Sequence, residues 1–285
     1  MTMRLSCSDY TWPTLSHRAV MTLVADLGFA GIDIGVFHEA SHTKLSAVTR
    51  DPAGAAAAVK GLAEAAGLEV SDVFLTADPD LGRMCPTSRV DEDQAHLREI
   101  FDRVLSFAVA CGSPGVTMLP GIVQEGQAVE AAIDLAAEGL APLVHAGQEL
   151  GLGVSVEPHV GSCIESPAAT RRLLDRCPGL TLTLDPSHFA YQGWQVPEIV
   201  ELIDRTRHVQ IRPAAEGVMQ ALVSEDAVDL RGFVSALSAG GYSGWVAAEY
   251  VWMEKWNCNR VDNTGETYLL KNKLLELISA TDGSR

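Results

Sequence analysis

The sequence predicts an α/β fold, a (β/α)8 TIM barrel forming a single domain over residues 1–285. Three observations predict it. Eight short, β-rich apolar runs alternate with longer helical patterns along the whole chain, as in a parallel sheet with helical crossovers. The length of 285 residues suits one such barrel, which typically takes about 250. No glycine-rich turn follows the first run, as a doubly wound dinucleotide-binding sheet would require.

The strand candidates are 3–8 (MRLSCS), 32–37 (IDIGVF), 69–74 (EVSDVF), 115–119 (GVTML), 153–157 (GVSVE), 180–185 (LTLTLD), 208–212 (HVQIR) and 245–250 (WVAAEY). Helical patterns fall between them at 15–27, 52–66, 91–111, 127–150, 167–176, 197–205, 229–239 and 265–280. Asp51-Pro52 and Ser166-Pro167 each set a capping side chain before a proline at the first helical position. Gly67, Gly151 and the pair Gly240-Gly241 stop other helices before the next strand. Residues 281–285 read as a loose tail. The loops after strands three, seven and eight are long, at 75–90, 213–228 and 251–264. Loops that follow strands build the active-site face of such a barrel, so these three predict a covered pocket. Trp252, Met253 and Trp256 are candidates for its apolar wall.

Composition narrows the function classes. The net charge is −16, with no basic stripe, which argues against nucleic acid and anionic membranes as partners. The six cysteines are scattered with no C-x-x-C pair, and are expected to be reduced thiols of a cytoplasmic protein. The N-terminus shows no signal peptide, and no run of about 18 apolar residues predicts a membrane span.

The chemistry is written in the last four strands, where polar and apolar residues alternate. Ser155 and Glu157 share one face of strand five. Thr181, Thr183 and Asp185 share one face of strand six, His208, Gln210 and Arg212 of strand seven, and Trp245, Ala247 and Glu249 of strand eight. Side chains alternate with period two, so these faces point into the barrel and the apolar faces pack on helices. Glu157, Asp185 and Glu249 each end an inward face. Three acids converging on one mouth repel one another and lose hydration, and a bound divalent cation resolves both problems.

The segments VSVEPH (154–159), LTLDPSHF (182–189), RHVQIRP (207–213) and GWVAAEY (244–250) resemble the xylose isomerase-like TIM-barrel superfamily, the sugar phosphate isomerase/epimerase family. The resemblance implies a site for Mn2+, Mg2+, Co2+ or Zn2+ built from a glutamate, an aspartate, a histidine and a second glutamate at the ends of strands five to eight. Glu157, Asp185 and Glu249 match. At strand seven the usual H-x-H reads His208-x-Gln210, which puts a glutamine at the ligand position. An all-oxygen donor set of Glu157, Asp185, Gln210 and Glu249 favours Mn2+ or Mg2+. The glutamine is similar to that of some 3-dehydroshikimate dehydratases of the superfamily.

The resemblance also implies that His188 touches substrate. His159, two residues after Glu157, is either a general base, as in lyases of the superfamily, or a solvent-facing loop residue. Arg212 either binds a substrate oxygen or pairs with a nearby acid. Trp252 is a candidate substrate contact, and His38 is a weaker one. His17, His96 and His145 read as surface or packing residues, and His208 as a residue of the opposite, stability face of the barrel.

The resemblance implies keto-sugar isomerisation or epimerisation, with Glu157 and Glu249 moving protons next to a carbonyl through an enediolate. The alternative is a metal-dependent lyase or dehydratase with His159 as base, cleaving a 3-keto-glycoside or C-glycoside, or dehydrating a 3-dehydroshikimate-like acid. A DNA-repair nuclease of the same fold would need many histidine ligands and an H-x-D after strand seven, where this chain has RPAAEG. A homo-oligomer or a partner subunit is compatible with the family. No glycine-rich phosphate cradle is visible, so the expected substrate is an unphosphorylated sugar or sugar-like molecule.

Overall fold

The computed structural model describes residues 3–282. Eight parallel strands form one closed barrel: β1 (Arg4–Ser8), β2 (Gly31–Phe37), β3 (Glu69–Thr76), β4 (Gly115–Met118), β5 (Gly153–Val156), β6 (Thr181–Leu184), β7 (Thr206–Ile211) and β8 (Trp245–Ala248). Each pairs with the next in sequence order, and β8 closes on β1 through Leu5–Val246 and its neighbours.

The helices wrapped outside are α1 (His17–Asp26), α2 (Leu45–Arg50), α3 (Pro52–Ala66), α4 (Asp91–Cys111), α5 (Val129–Glu149), α6 (Pro167–Arg176), α7 (Pro186–Tyr191), α8 (Val196–Ile199), α9 (Leu230–Ala239) and α10 (Asn263–Asp282). Asp51 caps α3 by accepting from Gly54 N at 3.0 Å, and Ser166 caps α6 by accepting from Ala169 N at 3.2 Å. Gly67 ends α3 at φ 74°, a left-handed conformation that costs glycine nothing. Among the described residues, no helix is long and apolar enough to cross a membrane.

Three local expectations are corrected. The helix expected over 197–205 is α8 followed by a 3-10 stretch over Val200–Arg205. Two short helices, α2 and α7, depart from the expected pattern, because six residues each are too few to show a helical periodicity. Thr281 and Asp282 continue α10 rather than forming a tail, and residues 283–285 lie outside the described residues.

The alternation of faces explains the core. Val154, Val156, Leu182, Leu184, Val209, Ile211, Val246 and Ala248 point outward and are buried under the helices. Each fully buried valine, leucine or isoleucine among them contributes about 1.5–3 kcal/mol. The six cysteines are buried free thiols.

The barrel interior is polar. Ser6, Asp33, Ser71, Asp72, Thr117, Ser155, Thr183 and His208 are all buried inside it. Two bulges supply the extra groups. The β2–β3 register steps from Val70 to Asp72, and the β6–β7 register steps from Thr206 to His208, so Ser71 and Arg207 are each an extra residue in the ladder. Arg207 runs across the barrel floor, donating to Ser155 Oγ at 2.7 Å and Asp72 Oδ1 at 2.8 Å. Gly115 and Gly153 make room for it, since a Cβ there would lie 2.7 and 2.2 Å from its side chain. His208 is thus not on the opposite face of the barrel. β7 begins at Thr206, which lifts His208 to mid-barrel, where its Nε2 lies 2.7 Å from Asp33 Oδ2.

Candidate metal centre and active site

Glu157, Asp185 and Glu249 each stand one residue beyond the end of β5, β6 and β8, and Gln210 is the penultimate residue of β7. This places all four at the C-terminal mouth. The carboxylate oxygens of Glu157, Asp185 and Glu249 lie within 4.8 Å of one another, and all four side chains are buried. Asp185 is held by local chain geometry. It caps α7, accepting from Ser187 N through Oδ1 at 2.8 Å, which leaves Oδ2 for the mouth.

Electrostatics dominates this cluster. Burial pushes the Glu157 carboxyl well above its usual range, and the charges of Glu249 and Asp185 push it further. Asp185 is raised by burial, against the pull of Arg212. Glu249 is pushed up to about 7, again chiefly by burial and against the pull of Arg212. Arg212 answers part of this charge. Its Nη1 makes a close ion pair with Glu249 Oε2 and stands 3.5 Å from Asp185 Oδ2. Three carboxylates and one guanidinium leave two negative charges, which one divalent cation neutralises.

The donor atoms fit such an ion. Glu157 Oε1, Asp185 Oδ2 and Gln210 Oε1 are buried oxygens without a hydrogen-bond partner. Unsatisfied buried acceptors cost about 1–3 kcal/mol each, and coordination removes that cost. All of them are hard oxygen donors, the set that suits Mn2+ or Mg2+.

The histidines divide. His188 is buried, accepts from Arg212 Nη2 at 3.1 Å and has its Nε2 3.7 Å from both Glu157 Oε1 and Asp185 Oδ2. Burial holds its pKa well below the usual value, and the neighbouring His159 and Arg212 add to this, so the ring is neutral. His159 lines the same cavity, with its ring centroid 4.2 Å from that of His188. Its Nδ1 is 2.7 Å from Val160 O, which can only accept, so Nδ1 carries the proton and Nε2 is a free lone pair. Burial lowers its pKa to about 4, so it is a far weaker base than a histidine poised near neutral pH. His38 lines a separate cleft, and His96 and His145 are exposed. His17 is half-buried, its Nε2 3.1 Å from Asp9 Oδ2, and stacks on His42.

A cavity of about 530 Å³ opens over the acids. Its walls include Tyr10, Phe37, Phe74, Met219, Trp252, Met253 and Trp256, with Glu157, His159, His188, Arg212 and Glu249 at its base. Trp252 is 51% exposed and stands at the rim. Trp256 sits deeper, 5.6 Å from the His159 ring, in a left-handed backbone at φ 56°. Arg212 lines the cavity, but the protein engages its donors at Glu249, Met219 O and His188.

Tyr10, Asp33, Phe37, Phe74 and His42 were missed in the sequence. A signal existed for Asp33 and Phe37. The alternation used for the last four strands, applied to β2, puts both on the inward face with Gly35. Gly35 is small because Tyr10 fills the space, a Cβ there falling 2.7 Å from its ring. Nothing in the sequence marked Tyr10, in a 3-10 turn over Asp9–Thr11, or His42, in the loop after β2.

A family profile described as the xylose isomerase-like TIM barrel matches residues 21–270. The fold is similar to that of an L-ribulose 3-epimerase, with a TM-score of 0.77 at 15% identity, covering 99% of this chain and 96% of that one. It is similar to a D-psicose 3-epimerase, with a TM-score of 0.78 at 12% identity over 97% of this chain and 99% of the other. It is also similar to a 3-keto-D-glucoside 4-epimerase from E. coli, with a TM-score of 0.70 at 14% identity over 95% and 99%. No curated protein sequence matches the chain.

Proposed function

Given that the chain belongs to the xylose isomerase-like TIM-barrel family, we propose that it is a divalent-metal-dependent keto-sugar isomerase or epimerase. The observation that carries this reading is the convergence of the Glu157, Asp185 and Glu249 carboxylates, two of which line the base of the cavity, on the same barrel mouth as the buried, unpartnered oxygen of Gln210. Glu157, Asp185, Gln210 and Glu249 are the proposed ligands, and Mn2+ or Mg2+ the proposed ion. A cation held there stabilises the negative charge that develops on a carbonyl oxygen when a proton leaves the adjacent carbon.

The chain's own groups account for the rest. Glu157 and Glu249 are the proton carriers, two carboxylates that both line the base of the cavity beside the proposed ion. Glu249 is held in one orientation by Tyr10 Oη at 2.7 Å and by Arg212. The Arg212 guanidinium and the neutral His188 ring border the place where substrate oxygens sit. The aromatic walls exclude water and stack on the faces of a sugar. Among the lysines and arginines lining the cavity, Arg212 is paired with Glu249, and Lys255 lies 4.2 Å over the Trp256 ring. An uncharged, unphosphorylated sugar therefore suits the cavity better than a sugar phosphate.

A second reading, a lyase of 3-keto-glycosides, C-glycosides or dehydroshikimate-like acids, draws on one feature. The free Nε2 lone pair of His159 faces a cavity that also contains Glu157 and His188.

The test is to load the protein with Mn2+ and incubate it in D2O with keto-sugars, 3-keto-glycosides and 3-dehydroshikimate, following deuterium and products by NMR. Metal-dependent exchange beside a carbonyl, with all substituents retained, is the expected result. Loss of water or an aglycone would replace it with the lyase reading. Absence of metal-dependent exchange with every substrate would overturn both.

A further inference from the structure

The Gln210 amide has one orientation open to it, and residues from the far side of the barrel impose it. Asp33 lies in the middle of β2, fully buried, with its carboxylate ringed by donors. Ser71 Oγ donates to Oδ1 at 2.5 Å and Ser6 Oγ at 3.4 Å. His208 Nε2 lies 2.7 Å from Oδ2, and Gln210 Nε2 donates to the same oxygen at 3.2 Å. Three other donors already face this carboxylate, and an ionised carboxylate only accepts, so the part of the amide turned toward it is the NH2. The second amide hydrogen goes to Tyr10 Oη at 2.8 Å. That hydroxyl spends its own proton on Glu249 Oε1 at 2.7 Å, so toward Gln210 it only accepts. With both N–H groups committed, Oε1 is turned away from these partners, and it is buried with none of its own.

We infer that the Asp33–His208 pair is a positioning device for the metal centre, holding the Gln210 carbonyl oxygen free for the cation. The inference rests on the reading of Glu157, Asp185, Gln210 and Glu249 as a cation site. Asp33 grips the amide, and His208 fixes Asp33 through a buried 2.7 Å contact. An amide free to rotate by half a turn would present N–H groups to the cation and repel it. Asp33 plays the part that a carboxylate plays behind a histidine ligand, orienting the donor through its N–H.

The test is a double-mutant cycle read by Mn2+ affinity, using calorimetry and the Mn2+ electron spin resonance signal, with thermal melting as a control. D33N is expected to weaken Mn2+ binding about 10–100-fold. If Asp33 acts through Gln210, the D33N/Q210A protein binds Mn2+ no more weakly than Q210A alone. Additive losses in the cycle would overturn the inference, because they would mean that Asp33 acts on the site by another route. If D33N does not fold, the same cycle with H208N decides in the same way. Absence of Mn2+ binding by the unaltered protein would instead overturn the metal-site reading itself.

Discussion

Tyr10 Oη donates a 2.7 Å hydrogen bond to Glu249 Oε1, joining the loop after β1 to the end of β8 at the point where the barrel closes. The same hydroxyl accepts from Gln210, so one phenol links two of the four proposed metal ligands. Burial and the nearby Glu249 raise the phenol pKa well above its usual value, so the proton stays on oxygen. Substituting Tyr10→Phe keeps the edge contact with Phe37 at 4.7 Å but strips both bonds. A buried carboxylate left short of a donor costs about 1–3 kcal/mol. The expected result is a loss of that size in urea unfolding, with kcat reduced about tenfold or more. An unchanged kcat would remove Tyr10 from the site.

The acid cluster makes stability depend on pH in a stated direction. In the metal-free protein the folded pKa values of Glu157, Asp185 and Glu249 lie above their unfolded values. The folded state therefore binds more protons than the unfolded state, and stability falls as pH rises from the usual carboxylate range through about 7, the value for Glu249. Metal binding displaces those protons, so the rise in Tm on adding Mn2+ is expected to be larger at about pH 8 than at about pH 5. Melting curves with and without Mn2+ check this, and a gain independent of pH would contradict it.

Among the described residues, Arg212 supplies the one positive charge paired with this cluster, at contact distance to Glu249. Arg212→Met leaves three buried carboxylates without it. Breaking one side of a buried pair costs about 3–5 kcal/mol. The metal-free variant is expected to lose that much stability in denaturant titration, and Mn2+ is expected to recover more of it than in the unaltered protein. Equal metal effects in both proteins would show that the guanidinium and the cation do not share the same charges.

His159 separates the two functional readings. Its replacement by asparagine is expected to change keto-sugar epimerisation or isomerisation less than tenfold. For a lyase using it as base, the loss is about 100- to 10,000-fold. Initial rates for whichever substrate the deuterium experiment identifies decide between these.

Gln210→His exchanges a hard amide oxygen for an imidazole nitrogen at the same place. Asp33 is positioned to accept the ring N–H as it now accepts the amide N–H. The expected outcome is a shift of metal preference from Mn2+ toward Zn2+ or Co2+, because imidazole suits those ions. Competition binding measures it, and an unchanged preference would mean that residue 210 does not coordinate.

The barrel was legible in the sequence because its two periodicities are local. Val154 and Val156, or Leu182 and Leu184, announce an outward face within four residues, and Ser166 before Pro167 announces a helix start. The same alternation placed Glu157, Asp185, Gln210 and Glu249 on inward faces, and strand ends placed them at one mouth. The bulges at Ser71 and Arg207 were not legible, because one extra residue in a ladder leaves no local mark. They decide which side chains fill the interior, and so set His208 against Asp33 rather than on the barrel's far face. The partners of Gln210 lie 177 and 200 residues away in the chain, at Asp33 and Tyr10. The sequence by itself determined the fold class and the positions where acids converge. Only the tertiary structure decided how each acid is held, what charge surrounds it and which way an amide turns, because hydrogen bonds and desolvation depend on neighbours that closure of the barrel brings together.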